Sequence, residues 1–230
     1  MAERTIAVIG GTGEQGFGIA LRLAKAGEKI IIGSRQEQKA LEAAERAKTI
    51  LRSNASVIGM ENSKATAAAD IIIMSVPFLA HAETIKSIVE SVTPEDIFID
   101  AVVPLSSAVG GSAMTTLEVW EGSAAQQAAR LLHNRTSKIA SAFHNVVAEA
   151  LQDLKHDIDC DVLVCGDSVG TRKIVMELVN KLPGVRAIDC GRLENSRIVE
   201  TVTAMLIGFN LRYQVNRAGL RITGLDAVKL

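Results

Sequence analysis

Apolar and polar positions follow two alternating periods along the chain. Short runs of β-branched residues, such as IIIGS at 30–34 and DIIIMSVP at 70–77, are typical of strands buried on both faces of a parallel sheet. Between these runs, apolar residues recur every three or four positions, as at Ala40, Ala44 and Ala47, which is typical of amphipathic helices. The pattern therefore predicts strands and helices in alternation.

The alternation predicts eight strands and eight helices. The predicted strands lie at 5–10, 29–33, 56–60, 70–76, 96–102, 138–144, 161–165 and 185–189. The predicted helices lie at 17–26, 36–51, 63–69, 81–91, 122–132, 148–154, 171–182 and about 193–213. A loop rich in serine and glycine follows the fifth strand at 106–116, and loops of this length are often functional or mobile.

Alternation of this kind is typical of βαβ units, so we expect an α/β fold of the Rossmann type, with a doubly wound, mainly parallel sheet. Right-handed crossovers bring the carboxyl ends of the strands to one edge, where ligands bind at the switch point. One complete nucleotide-binding set of strands ends near residue 150. We therefore expect a dinucleotide-binding domain over 1–150 and a small C-terminal α/β domain over 151–230.

Composition narrows the classes of function. A net charge of −1 over 230 residues argues against nucleic-acid binding, which needs a clustered excess of basic residues. The three cysteines lack the spacing of a zinc site and are expected to be free thiols in a reducing cytosol. The first strand begins too early to leave room for a signal peptide, and no apolar run reaches the roughly 18 residues of a membrane span. We expect a cytoplasmic protein without a membrane partner.

The stretch VIGGTGEQGFG at 8–18 carries the clearest motif. Its Gly11, Gly13 and Gly16 fit G-x-G-x-x-G between a predicted strand and a predicted helix, which is the context of a dinucleotide-binding turn. Gly11 permits the tight turn, Gly13 the approach of a pyrophosphate, and Gly16 the close packing of helix on strand. The helix N-terminus then offers N–H groups to the phosphates. The residues between the glycines form the lip of this cradle: Thr12, Glu14 and Gln15.

The end of the second strand indicates which dinucleotide binds. NAD-binding folds usually place a carboxylate there to accept the ribose 2′-hydroxyl. Here the residues are Ser34 and Arg35, with Lys39 one helical turn further on. Because a guanidinium can form paired, charge-assisted bonds to a 2′-phosphate, the pattern favours NADP over NAD.

Other strand ends supply the rest of the expected crevice. Val76, Pro77 and Phe78 follow the fourth strand, and Leu105 follows the fifth. His144 ends the sixth strand, facing the expected position of a substrate. From the sequence, His144 is equally well a hydrogen-bond donor to a second ligand or a structural histidine with a protein partner.

At these residues the sequence resembles the archaeal and actinobacterial NADP-dependent reductases of the 5-deazaflavin coenzyme F420. The resemblance covers nearly the whole chain, in order. It rests on these segments: GGTG at 10–13, GSR at 33–35, VPF at 76–78, VVPLS at 102–106, SAFH at 141–144, DVLVCGD at 161–167 and GRLENSRIVETVT at 191–203.

The resemblance implies reversible hydride transfer between the nicotinamide C4 of NADP and C5 of the deazaflavin. No catalytic acid or base is implied, since the hard chemistry belongs to the two cofactors. It also implies these NADP contacts: Thr12, Gly13, Glu14, Gln15, Ser34, Arg35, Lys39, Phe78, Leu105 and Ala148. It places residues 217–220, including Ala218, beside the deazaflavin.

Two other functions stay open on the residues alone. One is an NADP-dependent reductase of a small carbonyl or imine substrate, like the 3-hydroxyacid dehydrogenases and imine reductases. Those enzymes add a large helical domain with a catalytic lysine or aspartate, whereas only about 80 residues follow the nucleotide-binding set of strands here. The other is a non-catalytic protein that senses NADP.

The final predicted helix has a broad apolar face. Such a face either packs on the molecule's own sheet or forms the seam of a homodimer. Its members are Val199, Val202, Met205, Leu206, Phe209 and Tyr213.

Overall fold

A computed structural model describes residues 4–52 and 55–225, and its centre is one sheet of eight strands. The strands are β1 (Thr5–Ile9), β2 (Lys29–Ser34), β3 (Val57–Glu61), β4 (Ile71–Met74), β5 (Ile97–Asp100), β6 (Ile139–Ser141), β7 (Cys160–Gly166) and β8 (Val185–Asp189). Their order is β3-β2-β1-β4-β5-β6-β7-β8. Only the β6–β7 pair among these strands is antiparallel. The expected Rossmann-type, mainly parallel sheet is therefore confirmed.

Eight α-helices accompany the strands in the described ranges. They are α1 (Glu14–Lys25), α2 (Glu37–Leu51), α3 (Asn62–Ala67), α4 (Phe78–Ile88), α5 (Ala124–Leu131), α6 (Ala148–Gln152), α7 (Val169–Val179) and α8 (Ser196–Tyr213). None of them is long and apolar enough to cross a lipid bilayer.

The central strands are buried on both faces, as their continuous apolar runs predict. Along β1, Ile6 and Val8 belong to one buried cluster with α1, whereas Ala7 and Ile9 belong to a second cluster on the opposite face. Packing between the two hydrophobic layers thus fixes how far each strand is shifted along its own direction, and therefore where each strand ends.

The register of the sheet brings several strand ends together. Ile9 of β1 pairs with Gly33 of β2 on one side and with Met74 of β4 on the other. The chain order reverses between β2 and β4, so the residues after these three strands surround a crevice at the carboxyl edge.

Helix α1 begins at Glu14, earlier than the predicted residue 17. Glycine is unfavourable inside a helix, which argues locally for the later start. Position 16 is nevertheless helical. It is a glycine because a Cβ there would lie 2.7 Å from the Gly10 carbonyl oxygen. Gly18 likewise makes room for Leu151 of α6, whose Cβ would lie 2.6 Å from an added one. Nonlocal packing therefore overrides propensity at this helix start.

Several other predicted boundaries are displaced, among them the three that follow. Helix α4 begins at Phe78 rather than 81, because Pro77 suits the position before a first helical turn. Strand β6 ends at Ser141 rather than 144, and the backbone turns left-handed at Phe143, with φ of 70°. The final α-helix starts at Ser196, after a 3₁₀ turn at Leu193–Asn195.

The serine- and glycine-rich loop at 106–116 has local structure of its own. It contains a 3₁₀ turn at Ser106–Val109, and Leu105 pairs with Thr116 in an isolated antiparallel bridge. The loop is thereby closed on itself beside the carboxyl end of β5.

The C-terminal third continues the same sheet through β7 and β8. Arg22 of α1 is 2% exposed, and its guanidinium donates to four backbone carbonyls across residues 150–156. The division into domains over 1–150 and 151–230 stays a prediction.

Candidate functional site

The glycine-rich turn lies at the crevice between β1 and β4. Gly10 has a φ of 79°, and a Cβ there would lie 2.3 Å from the Ser75 carbonyl oxygen, so only glycine fits. The Gly11 N–H donates to the carbonyls of Val8 and Gly33, each at 3.1 Å, which fixes the turn between two strands. Sequence reasoning identified Gly11 and Gly16 but missed the left-handed Gly10 before them.

The first turn of α1 faces this crevice. Gly13 is its N-cap in extended conformation and provides no side-chain cap for the N–H groups that follow. Four such groups at a helix start lack intrahelical partners and attract anions. The crevice is therefore suited to a phosphate group.

Two adjoining cavities open along this edge. The larger, called the adenosine cavity after the expected NADP contacts of Ser34, Arg35 and Lys39, has a volume of about 540 Å³ and is lined by Gly10, Thr12, Gly13, Ser34, Arg35, Gln36, Lys39, Asn62, Ser75, Val76, Pro77, Ala80 and Thr84. The second, the ring cavity, has a volume of about 390 Å³ and is lined by Gly13, Glu14, Gln15, Ser75, Val76, Pro77, Ala101, Val102, Val103, Leu105, His144, Asn145, Val146, Val147, Ala148, Thr203, Leu206, Ile207, Asn210 and Ala218. Both touch the Gly13 turn and the β4 end at Val76, so one extended molecule can occupy both.

The adenosine cavity is basic at its far end. Arg35 and Lys39 are exposed there, and neither forms an ion pair with a carboxylate in the described part of the chain. Ser34 is buried, and its hydroxyl accepts the Gln36 N–H at 3.3 Å, which leaves its proton free to donate. The three predicted residues are thus brought together as a cluster of donors.

The ring cavity has mainly apolar walls. Of the predicted residues, Val76, Pro77, Leu105, Ala148 and Ala218 all line it, although they come from four separate parts of the chain. Within the described ranges, no group of three or more histidine, cysteine or carboxylate side chains is placed to hold a metal ion. The cavity can therefore hold flat apolar rings.

Three predicted residues line neither cavity. Gly11 and Gly16 shape the turn from beneath. The Phe78 ring packs into the buried cluster behind β4 and stacks on His81, with the ring centroids 6.2 Å apart. Phe78 is thus partly buried as the first residue of α4, and its contact with NADP stays a prediction.

Gln15 lines the ring cavity and also forms hydrogen bonds to the backbone around His144. Its Nε2 donates to the carbonyl of Phe143 at 3.0 Å and to that of Val146 at 3.1 Å. The glycine-rich loop thereby holds the backbone around His144 in place. Sequence reasoning placed Gln15 only at the lip of the phosphate cradle.

His144 faces the ring cavity without a protein partner. Its side chain is 4% exposed, and neither ring nitrogen forms a hydrogen bond within the part of the chain that the structure describes. Burial lowers the pKa of His144 to about 4, although Asp100 opposes the shift. The ring is therefore neutral at pH 7, with one donor and one acceptor available. Of the two interpretations left open by the sequence, this geometry favours a ligand contact.

Helix α8 supplies a wall that sequence reasoning missed. Thr203, Leu206 and Ile207 line the ring cavity, and the Thr203 hydroxyl donates to the His144 carbonyl at 2.9 Å. The Asn210 side chain accepts the N–H of Ala218 at 2.9 Å, which holds the C-terminal segment over the cavity. The apolar periodicity of this helix gave the signal, but it did not distinguish a cavity wall from a packing face.

A buried polar network supports the cavity from behind. His81 bonds to Asp100 at 2.7 Å and to Gln127 at 3.0 Å, and the other Asp100 oxygen accepts the Val102 N–H. Although burial alone disfavours the charged ring, the interaction with Asp100 raises the pKa of His81.

The carboxylate of Glu200 from α8 accepts the first N–H groups of α5, and burial raises its pKa to about 8.

Comparison with known families and proteins gives one consistent match. Residues 5–104 match the family described as NADP oxidoreductase, coenzyme F420-dependent. An F420-dependent NADP reductase of Methanothermobacter thermautotrophicus is 48% identical over 221 residues, covering 96% of this chain and 95% of that protein. The enzyme of the same name from Methanocaldococcus jannaschii is 46% identical over 224 residues, covering 96% and 99%.

A solved structure supports the fold. A crystal structure from Arthrobacter sp. FB24 superposes with a TM-score of 0.80, at 21% identity, and covers 96% of this chain and 99% of that one. At this identity the likeness speaks for the shared architecture alone.

Proposed function

The chain belongs to the family of F420-dependent NADP reductases, and we propose that it catalyses reversible hydride transfer between NADP(H) and the 5-deazaflavin coenzyme F420. One structural observation carries the proposal. A basic cavity and an apolar cavity adjoin at the glycine-rich turn, so that two ligands can meet beside Val76 and Pro77. Enzymes of that name are 46–48% identical to this chain over nearly the full length of both sequences, which supports the same reaction.

We assign NADP to the adenosine cavity and the turn. The first N–H groups of α1 suit the pyrophosphate, and Ser34, Arg35 and Lys39 suit the 2′-phosphate. A carboxylate at the Ser34 or Arg35 position would repel that phosphate, so the donor cluster supports NADP over NAD.

We assign the deazaflavin to the ring cavity, which the nicotinamide end of NADP enters past the Gly13 turn. When bound, the two cofactors supply the chemistry, in which a hydride passes between the nicotinamide C4 and the deazaflavin C5. The chain's own task is to hold two flat rings with the reacting carbons about 3–3.5 Å apart. Leu105, Ala148 and Ala218 form apolar walls that suit this stacking and exclude water.

His144 contributes orientation rather than proton transfer in this proposal. A neutral imidazole whose two nitrogens have no partner in the described ranges can donate to one polar atom of a ligand and accept from another. Thr203 and Gln15 hold the backbone on either side of it. The ring is therefore fixed before the ligand arrives.

A homodimer and a cytoplasmic location belong to the same proposal. On α8, Val199 and Leu206 are buried within the molecule, whereas Ile198 and Leu211 are exposed and Tyr213 is 72% exposed. These exposed apolar side chains are ones that a second copy can cover. The three free thiols are in keeping with a reducing compartment.

Purified protein tests the reaction directly. NADPH added to oxidised coenzyme F420 should bleach the absorbance of the deazaflavin, and NADH at the same concentration should do so far more slowly. Binding of NADP without any change in that absorbance would reject the oxidoreductase in favour of a protein that senses NADP. Light scattering at several concentrations tests the dimer.

A further inference from the structure

Asn62 lies at the carboxyl edge of the sheet, one residue beyond the pairing of Ser34 with Glu61. It is the first residue of α3, and its side chain extends beneath β2. A Cβ added to Gly33 would lie 3.0 Å from the Asn62 Oδ1. Because Gly33 has no side chain, the Asn62 amide has room beside the end of β2, next to Ser34.

The amide of Asn62 is buried but incompletely bonded. The residue is 2% exposed, and its Oδ1 has no hydrogen-bond partner among residues 4–52 and 55–225. Its backbone carbonyl, in contrast, accepts the Thr66 hydroxyl at 2.9 Å. Buried side-chain oxygens in native proteins nearly always have a partner, so an exception at a cavity wall points to a ligand.

Asn62 lines the adenosine cavity together with Ser34, Arg35 and Lys39. Arginine and lysine side chains only donate hydrogen bonds, and a phosphate oxygen accepts them. The ribose carbon next to the 2′-phosphate carries a hydroxyl that can donate. A carboxylate would accept from that hydroxyl but would repel the phosphate, whereas an amide oxygen is a neutral acceptor.

We propose that the Asn62 Oδ1 accepts a hydrogen bond from the 3′-hydroxyl of the adenosine ribose, which makes Asn62 a binding residue for the adenosine ribose of NADP. The inference rests on the proposed function, in which NADP occupies this cavity. It adds a recognition contact on the hydroxyl beside the phosphate, which the Ser34, Arg35 and Lys39 cluster does not provide.

Calorimetric titration with two small probes tests the contact without any redox reaction. The probes are adenosine 2′,5′-bisphosphate and its 3′-deoxy counterpart. The native protein should bind the first about 3- to 10-fold more tightly than the second, as expected for one hydrogen bond. Asn62→Ala should bring that ratio close to one. Asn62→Asp should weaken binding of the bisphosphate more than Asn62→Ala does, because a carboxylate repels the 2′-phosphate.

Thr136→Val is the matched control. It removes a buried hydroxyl that donates to the Asp96 carbonyl, away from Asn62 and from the cavity, so it should keep the native ratio between the probes. Equal binding of both probes by the native protein, or an unchanged ratio in Asn62→Ala, would overturn the inference. The comparison of the two probes on the native protein needs no variant, so it can still overturn the inference if Asn62→Ala fails to fold.

The outcomes also separate this inference from the function on which it rests. Binding that depends on the 3′-hydroxyl, in a protein that does not reduce coenzyme F420, would support Asn62 and reject the reductase. Bisphosphate binding without that dependence would reject Asn62 alone. No binding of the bisphosphate at all would reject both.

Discussion

The Gln15 side-chain amide donates to the Phe143 carbonyl at 3.0 Å, which joins the glycine-rich loop to the residue before His144. Phe143 has a φ of 70°, a left-handed conformation that is strained for a bulky side chain and persists only where the surroundings impose it. The glycine-rich turn and the backbone around His144 are therefore held to each other by a hydrogen bond. Gln15 both lines the ring cavity and fixes the backbone that presents His144.

Replacing Gln15 by alanine should disturb the ring cavity through this link. Loss of the bonds to Phe143 and Val146 should reduce the free energy of unfolding by about 1–2 kcal/mol and weaken binding of the deazaflavin. Denaturant titration and fluorescence titration measure the two effects. Gln152→Ala is the control, because the Gln152 side chain also connects α1 to a distant segment, through one hydrogen bond to the Glu14 carbonyl, but lies outside the cavity. Equal effects of the two variants would contradict the role of Gln15.

Replacing Arg35 by alanine should remove the preference for NADP. Loss of a charge-assisted bond to the 2′-phosphate costs about 2–3 kcal/mol, so the affinity for NADP should fall by about 30- to 150-fold. The affinity for NAD should change little. Lys48→Ala, which removes an exposed lysine further along α2, is the control for net charge. Equal affinities of the native protein for NAD and NADP would refute the assignment.

Replacing Arg22 by leucine should destabilise the protein strongly. Its buried guanidinium donates to the carbonyls of Ala150, Leu151, Asp153 and His156, and all four would lose a donor. We expect the free energy of unfolding to fall by at least about 3 kcal/mol, measured by denaturant titration. Lys25→Ala removes an exposed bond between the same segments and should cost less than about 1 kcal/mol. A small loss in Arg22→Leu would show that the carbonyls find water instead.

Glu200 should make stability depend on pH in an unusual direction. Its folded pKa of about 8 lies above the usual 4.5, because burial and nearby Asp100 outweigh the two N–H bonds and the attraction of His81. The native state therefore holds the proton more tightly than the unfolded chain. That contribution to stability is complete below about pH 4.5 and is lost as the pH rises to about 8.

Denaturant titrations from pH 5 to pH 8 should show this dependence on comparison with Glu200→Gln. The variant cannot ionise, so the native protein should lose stability relative to Glu200→Gln as the pH rises, by up to about 3.5 kcal/mol in the free energy of unfolding over this range. Glu177→Gln, which removes an exposed carboxylate on α7, should leave the native pH profile unchanged. Parallel profiles for the native protein and Glu200→Gln would contradict the raised pKa.

His144 should stay neutral throughout the physiological range. Its folded pKa of about 4 lies below the usual 6.5 because the ring is buried. NMR titration of the histidine rings, assigned with a His144→Gln variant, should show no midpoint for His144 between pH 5.5 and pH 8. A midpoint near 6.5 would mean that the ring is solvated and does not lie ready for a ligand.

Much of the architecture could be predicted because it depends on local patterns. Continuous apolar runs predicted the buried strands, and the G-x-G-x-x-G spacing placed the turn at the right strand end. The basic cluster was predictable too, because Ser34 and Arg35 follow β2 directly and Lys39 lies one helical turn later.

The rest of the site depends on contacts between distant segments. Gln15 meets Phe143 across 128 residues, and the deviation at Phe143 breaks a strand that the apolar run alone would continue. Asn62 stands out only because its amide oxygen is buried without a partner among the described residues, which no sequence pattern reveals. Phe78, the first residue of α4, packs partly buried against the core, and its contact with NADP stays a prediction.

Transfer of deuterium from labelled NADPH tests most directly the central claim, that the hydride passes straight between two cofactors held side by side. The protein is incubated with oxidised coenzyme F420 and NADPH carrying deuterium at either C4 position, in ordinary water, and the reduced deazaflavin is examined by mass spectrometry. We expect one of the two labelled forms to deliver its deuterium to C5 of the deazaflavin. Reduced deazaflavin that carries no deuterium from either form would contradict direct transfer.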